Sequence, residues 1–352
     1  MVSFPDPKAR HPFHMHAMIH GQPAFVSETL ERLDHADAAT FLGRPRRLVV
    51  TGCGTSFHAA MYGARLFHAV LAPATSVEAT HAYDLAYGPF APPAGATVLG
   101  VSHSGSTPTT NFALARAKKE GHRILAVSGL PNTEMEEIAD ETLLIGSVHD
   151  RSWANTMSYT TQLTAFASLA GQRMREQTDI VEGLRALPRV VQKALECEAS
   201  IRRLARRIAR ATQITFLGSG WDHVTVLEAA LKIRETCSLS AFGYHMEQFL
   251  HGPFLSIDRG EPVFMLRSSE DGKRAEAIHR ALSKSGANVL EIGESPRANV
   301  RLPRVHAVLR PIVSVIPMQF LAYYAALARK ANPDIMRTDV PRYRAGVEAL
   351  FH

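Results

Sequence analysis

The sequence predicts an α/β protein made of two tandem units, each a parallel sheet flanked by helices in a three-layer sandwich. Three observations predict it. Arg47-Leu48-Val49-Val50 is a short apolar strand that runs through the glycine turn Thr51-Gly52-Cys53-Gly54-Thr55-Ser56 into a helical stretch from Phe57 to Leu71. Ala96-Thr97-Val98-Leu99-Gly100-Val101 repeats the strand, and a hydroxyl-rich turn leads it into the helix Asn111–Lys119. The pattern then restarts, with strand Gln213-Ile214-Thr215-Phe216-Leu217, turn Gly218-Ser219-Gly220-Trp221 and a helix from Asp222 to Cys237.

Taken in order, the chain opens on a His-rich segment holding His11, His14, His16 and His20. These histidines are read as lacking a fixed i,i+4 pairing and a Cys or carboxylate partner in sequence, so no metal site is expected. Gly21-Gln22-Pro23 ends the segment and a helix is predicted from Ala24 to about Leu33. In the first unit, Ser76-Val77-Glu78, Ile124-Leu125-Ala126-Val127 and Glu141-Thr142-Leu143-Leu144-Ile145 are further strands. Asp150 to Asn155 is a polar loop entering the apolar helix Thr156–Met174, and residues 176–200 read as a helical connection. In the second unit, Pro262-Val263-Phe264-Met265-Leu266 and Asn288-Val289-Leu290-Glu291-Ile292 are strands separated by the helix Gly272–Ser285.

A length of 352 residues with 46% hydrophobic and 20% charged residues suits a globular protein with a large, two-lobed core. No apolar run is expected to reach the roughly 18 residues that span a membrane, and no leader pattern opens the chain. Cys53, Cys197 and Cys237 are few and scattered, which points to a reducing cytoplasm rather than a disulfide framework. The net charge of +6 raises the question of nucleic acid. Its densest source, Arg202-Arg203-Leu204-Ala205-Arg206-Arg207, has arginines opposite an apolar stripe, the pattern of a solvated helix face. No nucleic-acid and no membrane partner is expected.

The most informative stretch is Ser102-His103-Ser104-Gly105-Ser106-Thr107-Pro108. Thr107 can N-cap the following helix, with Pro108 at the first position, where a missing N–H costs nothing. Hydroxyls converging on a helix N-terminus suit a phosphate, and the lack of nearby Lys or Arg suits a small phosphorylated ligand held by neutral donors. An ordinary Ser/Thr-rich capping turn is the competing reading. In the second unit Arg267-Ser268-Ser269-Glu270-Asp271 takes the equivalent place, and its two acids argue against a second phosphate.

Glu228, Lys232 and Glu235 share one face of a helix. They form either a surface ladder of ion pairs or, beside apolar Leu227, Leu231 and Ile233 at the second glycine turn, a pocket where Glu235 can remove a proton α to a carbonyl. Lys232 either holds Glu235 ionised or touches the ligand. His251 precedes Gly252-Pro253, a turn that exposes an imidazole suited to shuttling a hydroxyl proton, with Glu247 and Gln248 one turn earlier to orient it. Cys53, between glycines and with no His partner, reads as a small filler.

Together these segments resemble the sugar isomerase (SIS) family, in particular the isomerase half of glucosamine-6-phosphate synthase and stand-alone phosphosugar isomerases, deaminases and deglycases. Met18-Ile19-His20-Gly21-Gln22-Pro23 resembles the family's N-terminal signature without its usual acids. Gly52-Cys53-Gly54-Thr55-Ser56 and the 102–107 turn resemble its sugar- and phosphate-binding turns. Trp153-Ala154-Asn155-Thr156 with Tyr159-Thr160-Thr161-Gln162-Leu163 is similar to the loop and helix that close the site. Leu227–Glu235 and His251-Gly252-Pro253 are similar to its catalytic segments.

The resemblance implies an N-terminal helical segment (1–46), a phosphosugar-binding SIS subdomain (47–175), a helical connection (176–200), a second SIS subdomain (201–335) and a C-terminal tail near the site (336–352). It implies a homodimer with shared sites and no cofactor. Gly54, Thr55, Ser56, Ser102, His103, Ser104, Ser106, Thr107, Ala154, Asn155 and Lys232 would surround a sugar or amino-sugar phosphate. Glu235 would move a proton between C1 and C2, and His251 from the partner would open the ring. The expected activity is metal-independent isomerisation or C–N cleavage through an enediol or enolamine; a non-catalytic sugar-phosphate sensor is the alternative. The sequence carries no glutaminase nucleophile domain, so no internal ammonia source is expected. The synthases' C-terminal Lys, which follows a Pro-Arg pair, is replaced: Pro341-Arg342-Tyr343-Arg344-Ala345-Gly346 puts Gly346 there.

Overall fold

The computed structural model describes residues 8–174 and 178–351. Helices α1 (His14–His20), α2 (Gln22–Asp34) and α3 (Ala38–Leu42) precede the first sheet. The first unit runs β1 (Arg47–Thr51), α4 (Thr55–Val70), β2 (Ser76–Ala79), α5 (Ala82–Tyr87), β3 (Thr97–Ser102), α6 (Pro108–Lys119), β4 (Arg123–Ser128), α7 (Glu134–Ile138) and β5 (Glu141–Leu144). Helices α8 (Met157–Arg173), α9 (Thr178–Ala194) and α10 (Glu198–Ile208) follow. The second unit runs β6 (Gln213–Gly218), α11 (His223–Cys237), β7 (Ser240–His245), α12 (Met246–Phe249), β8 (Pro262–Arg267), α13 (Gly272–Lys284), β9 (Asn288–Gly293) and β10 (Val300–Arg301). Helices α14 (Arg310–Ala328) and α15 (Pro341–Phe351) close it.

Each unit has one five-stranded sheet, ordered β2-β1-β3-β4-β5 and β7-β6-β8-β9-β10. Every pairing is parallel, and the two orders are the same permutation, so the two halves share one topology. Strands buried on both faces carry continuous apolar runs, as in β3, which is buried throughout. In this order the chain reverses direction between β1 and β3, and again between β6 and β8. Crevices form at such switch points, beyond the carboxyl ends of the strands. The largest hydrophobic cluster fills the space between the sheets and draws on both halves, from Leu48 and Phe166 to Phe216 and Phe320. Two smaller clusters lie against the sheets' other faces, around Val98 and Ile124 and around Val263 and Met265.

Three expectations need correction. The strands β7 and β10 have no counterpart in the sequence reading, because β7 is an edge strand with little alternation and β10 is two residues long. The segment Ala307–Ala328 is long and apolar enough to cross a membrane, contrary to the expectation that no such run exists. It contains the core helix α14, and 89% of its apolar window is buried inside the fold, which accounts for apolar residues all round the helix. The N-terminal histidines do pair. His16 and His20 stand one turn apart on α1, and both Nε2 atoms reach the carboxylate of Glu198, at 2.8 and 3.1 Å. That carboxylate comes from α10, too distant in sequence to be found by spacing.

The remaining ends are tied down by long-range contacts. Phe13 at the N-cap of α1 offers no side-chain acceptor. Buried Asp334 supplies one instead, receiving the N–H groups of His14 (2.6 Å) and Met15 (2.9 Å). The α10 arginines point outward while Ile201, Leu204, Ala205 and Ile208 are buried, the solvated amphipathic face expected.

Candidate active site

Two strand-to-helix turns of the first unit meet at its switch point. After β1, Gly54 has φ 53°, a conformation that favours glycine, and it starts α4 at Thr55. After β3, Gly105 has φ 60°, and a Cβ there would lie 2.3 Å from the Thr133 hydroxyl. Glycine therefore lets the turn pack flat against the start of α7. Ser102 Oγ accepts the Gly105 N–H (3.1 Å) and lies 3.1 Å from Thr107 Oγ1. Thr107 does occupy the N-cap of α6 with Pro108 next, but its hydroxyl makes no cap bond. It faces Ser102 instead, which corrects the capping expectation and leaves the first amides of α6 available to a ligand.

A cavity of about 380 Å³ opens here. Of the residues singled out from the sequence, Gly54, Thr55, Ser56, Ser102, His103, Ser104, Thr107, Asn155 and Glu235 line it, and among the described residues no Lys or Arg does. Ser106 is exposed and donates to Ser104 Oγ (3.1 Å) from outside the lining. Asn155 has φ 51°, a left-handed conformation that Asn tolerates better than most residues. Sequence reasoning missed Thr109, His149, Ser158 and Leu350, which also line the cavity. Thr109 sits in the first turn of α6, so helical phase pointed to it; the others arrive from distant segments.

His103 is part of the cavity wall. It is buried, its Nε2 accepts the Asp150 N–H (3.1 Å), and burial, then the nearby His149, lower it to about 4, so it is neutral at pH 7. Asp150 in turn accepts from Ser152 N–H and from the N–H and hydroxyl of Ser158. The loop that presents Asn155 is thereby pinned at both ends.

Behind the cavity lies a chain of charge. Glu235 is 19% exposed, while Lys232 and Glu228 are fully buried, so these residues are not the surface ladder of the competing reading. Lys232 Nζ lies 2.6 Å from Glu235 Oε2, 3.3 Å from Glu228 Oε1 and 3.1 Å from Thr55 Oγ1, and also bonds the Ala154 carbonyl. Glu228 further accepts from Thr55 (3.1 Å) and meets His58 Nδ1 at 2.7 Å. Burial opposes charge on Lys232, yet the two glutamates hold its pKa above the ordinary value. Burial likewise opposes charge on Glu228, but Lys232 and then His58 bring it below the carboxylate range. Glu235 goes the other way, raised by burial despite Lys232. The group facing the cavity is thus the carboxylate most ready to take a proton. Ala154 and Lys232 support the site from behind. His58, three residues past Thr55 on α4, is a member that helical spacing would have revealed.

His251 is exposed and does not line this cavity. Glu247, expected to orient it, is held by Arg274 at 2.5 and 2.9 Å. Cys53 lines the cavity, but burial raises its thiol, in keeping with a filler. In the second unit the acids at the equivalent turn are engaged by neighbouring residues. Asp271 bonds Ser219 and Ser268, and Glu270 lies 3.6 Å from Arg310, which also pairs with Asp222 (2.5 Å), so the acids face local donors there.

A doubly repeated parallel α/β fold with a hydroxyl-lined crevice at one switch point defines a class of tandem α/β sandwich proteins. Within that class, residues 41–171 match the family model described as the SIS domain, so the chain carries a SIS domain, and its second half repeats the architecture. The chain is 31% identical over 349 residues to the glutamine–fructose-6-phosphate aminotransferase (isomerizing) of Gloeobacter violaceus, covering 90% of this chain and 56% of that protein. That of Symbiobacterium thermophilum is 32% identical over 345 residues, with the same coverage. The chain thus spans about half the length of these relatives. Among solved structures, the C-terminal domain of glucosamine-fructose-6-phosphate aminotransferase from Francisella tularensis superposes with a TM-score of 0.85 at 21% identity, covering 94% of this chain and 99% of that one. Glucosamine-6-phosphate deaminase from Thermotoga maritima does so with 0.76 at 20% identity, covering 91% and 96%. At those identities the likeness concerns the fold.

Proposed function

We propose that the chain is a phosphosugar-processing enzyme that isomerises, or cleaves the C–N bond of, a sugar or amino-sugar phosphate. The observation that carries this reading is one cavity with two chemistries on its wall. Hydroxyls and amides without a side-chain cap at the start of α6 suit a phosphate, and the largely buried carboxylate of Glu235 suits a proton α to a carbonyl. The names of the relatives, which include an isomerizing aminotransferase and a deaminase, support the same substrate class. Phosphate binds Ser102, Ser104 and Thr107, while Thr55, Ser56 and Asn155 meet sugar oxygens. Glu235 shifts a proton between C1 and C2, and Lys232 stabilises its ionised form. The partner subunit's His251 opens the ring in a homodimer. The three free cysteines support a reducing, cytoplasmic setting.

Gly346 favours C–N cleavage over isomerisation. It lies on α15 one turn before Leu350, which lines the cavity, and the space around it is open. A side chain able to form an imine or polarise the sugar carbonyl is missing from that position. A substrate already bearing an amine at C1 or C2 can pass through its own protonated imine, whose C=N bond takes up the electron pair when the α proton leaves. Amino-sugar or fructose–amine phosphates are therefore expected to turn over at least about tenfold faster than fructose 6-phosphate, roughly 1.4 kcal/mol of barrier. The test is a turnover screen of these compounds and their unphosphorylated forms, with Glu235→Gln as control. Faster turnover of the plain ketose phosphate would overturn the C–N assignment. Tight binding without turnover by any compound would leave a sugar-phosphate sensor, and equal affinity for phosphorylated and plain sugars would remove the phosphate site.

A further inference from the structure

The N-terminal histidines, which the proposed reaction does not use, gather with one carboxylate on the far side of a helix junction. His16 and His20 share a face of α1, with ring centroids 4.4 Å apart. Glu198, the first residue of α10, lies between their Nε2 atoms at 2.8 and 3.1 Å. The three donor atoms all fall within 4.8 Å of one another. Helix α14 forms the floor: Phe320 packs on His20 at 5.4 Å, Tyr323 lies 5.2 Å from His16, and the Tyr324 hydroxyl donates to Glu198 Oε1.

We propose that His16, His20 and Glu198 form a binding site for a divalent transition ion of the zinc class, which fastens the N-terminal helix α1 to α10. Two imidazoles spaced i,i+4 on one helix with a carboxylate from another element make a three-ligand set that leaves a fourth position for water. Zinc bonds of about 2.0–2.2 Å place tetrahedral ligand atoms about 3.3–3.5 Å apart. Small ring rotations open the two short His–Glu contacts and draw in the widest pair to that spacing. The outer contacts are already of the kind that orient metal ligands, since Tyr324 fixes the carboxylate and aromatic rings brace both imidazoles. The His20 side chain is 40% exposed, which leaves an entry path for the ion. Two nitrogen ligands with one carboxylate favour zinc over magnesium or calcium, which prefer oxygen.

The full chain, free of any histidine tag and stripped with a chelator, is titrated with zinc chloride by calorimetry and followed by thermal unfolding. The expected result is saturable binding of one ion per chain, a zinc-dependent rise in melting temperature and no competition from a large excess of magnesium. Tyr324→Phe should weaken binding by about tenfold, and His20→Ala by more than the roughly 100-fold upper range for outer contacts. His20→Gln, whose amide still donates to Glu198 and so preserves the metal-free contacts, should lose the zinc-dependent stabilisation while folding normally. Replacement by cobalt(II) should give the visible bands of a four-coordinate centre in the wild type and none in His20→Gln. Absence of saturable zinc binding, or binding unaltered in His20→Gln, overturns the proposal and leaves a hydrogen-bonded His–Glu cluster.

Discussion

His103 illustrates how one side chain couples the Ser102–Thr107 turn to the loop carrying Asn155. Its Nε2 must keep a lone pair to accept the Asp150 amide, so a proton on that nitrogen breaks the contact. The folded value is about 4, against 6.5 for the free side chain, so the unfolded state binds the extra proton first. The neutral ring thus contributes its full stability above pH 6.5, and that contribution is lost as pH falls toward 4. The difference amounts to about 3 kcal/mol at most. Gln at this position can accept the same amide without titrating. Urea unfolding at pH 7 and pH 4.5 should therefore show a larger loss for the wild type than for His103→Gln, and equal losses would contradict this role.

At the scale of elements, α11 carries the buried charges behind the cavity, and β7 sets where it lies. Glu228, Lys232 and Glu235 recur at helical spacing along α11, whose back packs on the strand at Gly243. A Cβ at Gly243 would sit 2.4 Å from the Val226 carbonyl and 2.9 Å from the Leu227 amide, both backbone atoms of α11. Gly243→Ala must push the helix away from the sheet. It should cost about 1–3 kcal/mol in chemical unfolding. Gly346→Ala on open, exposed α15 should stay within about 0.5 kcal/mol of wild type. A neutral Gly243→Ala would mean that β7 does not position α11. The same strand shows what a sequence can hide: Ser240–His245 has the composition of a loop, and its role as an edge strand follows from pairing with β6 along its whole length.

For the molecule as a whole, the exposed His251 and the cavity that holds Glu235 are separate features of one chain. If His251 acts in the partner's cavity, a two-fold dimer has two composite sites, each taking Glu235 from one chain and His251 from the other. Glu235→Gln and His251→Ala homodimers should both be nearly inactive. Refolding an equal mixture gives about half heterodimers with one intact site each, so about a quarter of wild-type activity should return. A mixture no more active than its components, or full activity in a monomeric sample, would contradict the shared site.

Local chemistry was legible in the sequence because it acts over a few residues. Hydrophobic periodicity and glycine turns determined the alternation of strands and helices, the repeat of one α/β unit, and the turns at Gly54 and Ser102–Thr107, since each depends on backbone geometry and neighbouring side chains. The stripe of Glu228, Lys232 and Glu235 was legible for the same reason. Their burial was not, because it depends on Thr55, His58 and Ala154 closing over them from elsewhere in the chain. Tertiary structure alone brought His149 to the cavity, turned the Thr107 hydroxyl from its cap to Ser102, and set Asp334 on the start of α1. It also delivered Glu198 to His16 and His20. Such contacts join residues far apart in the chain, and only the packing of whole helices and sheets decides which distant groups meet.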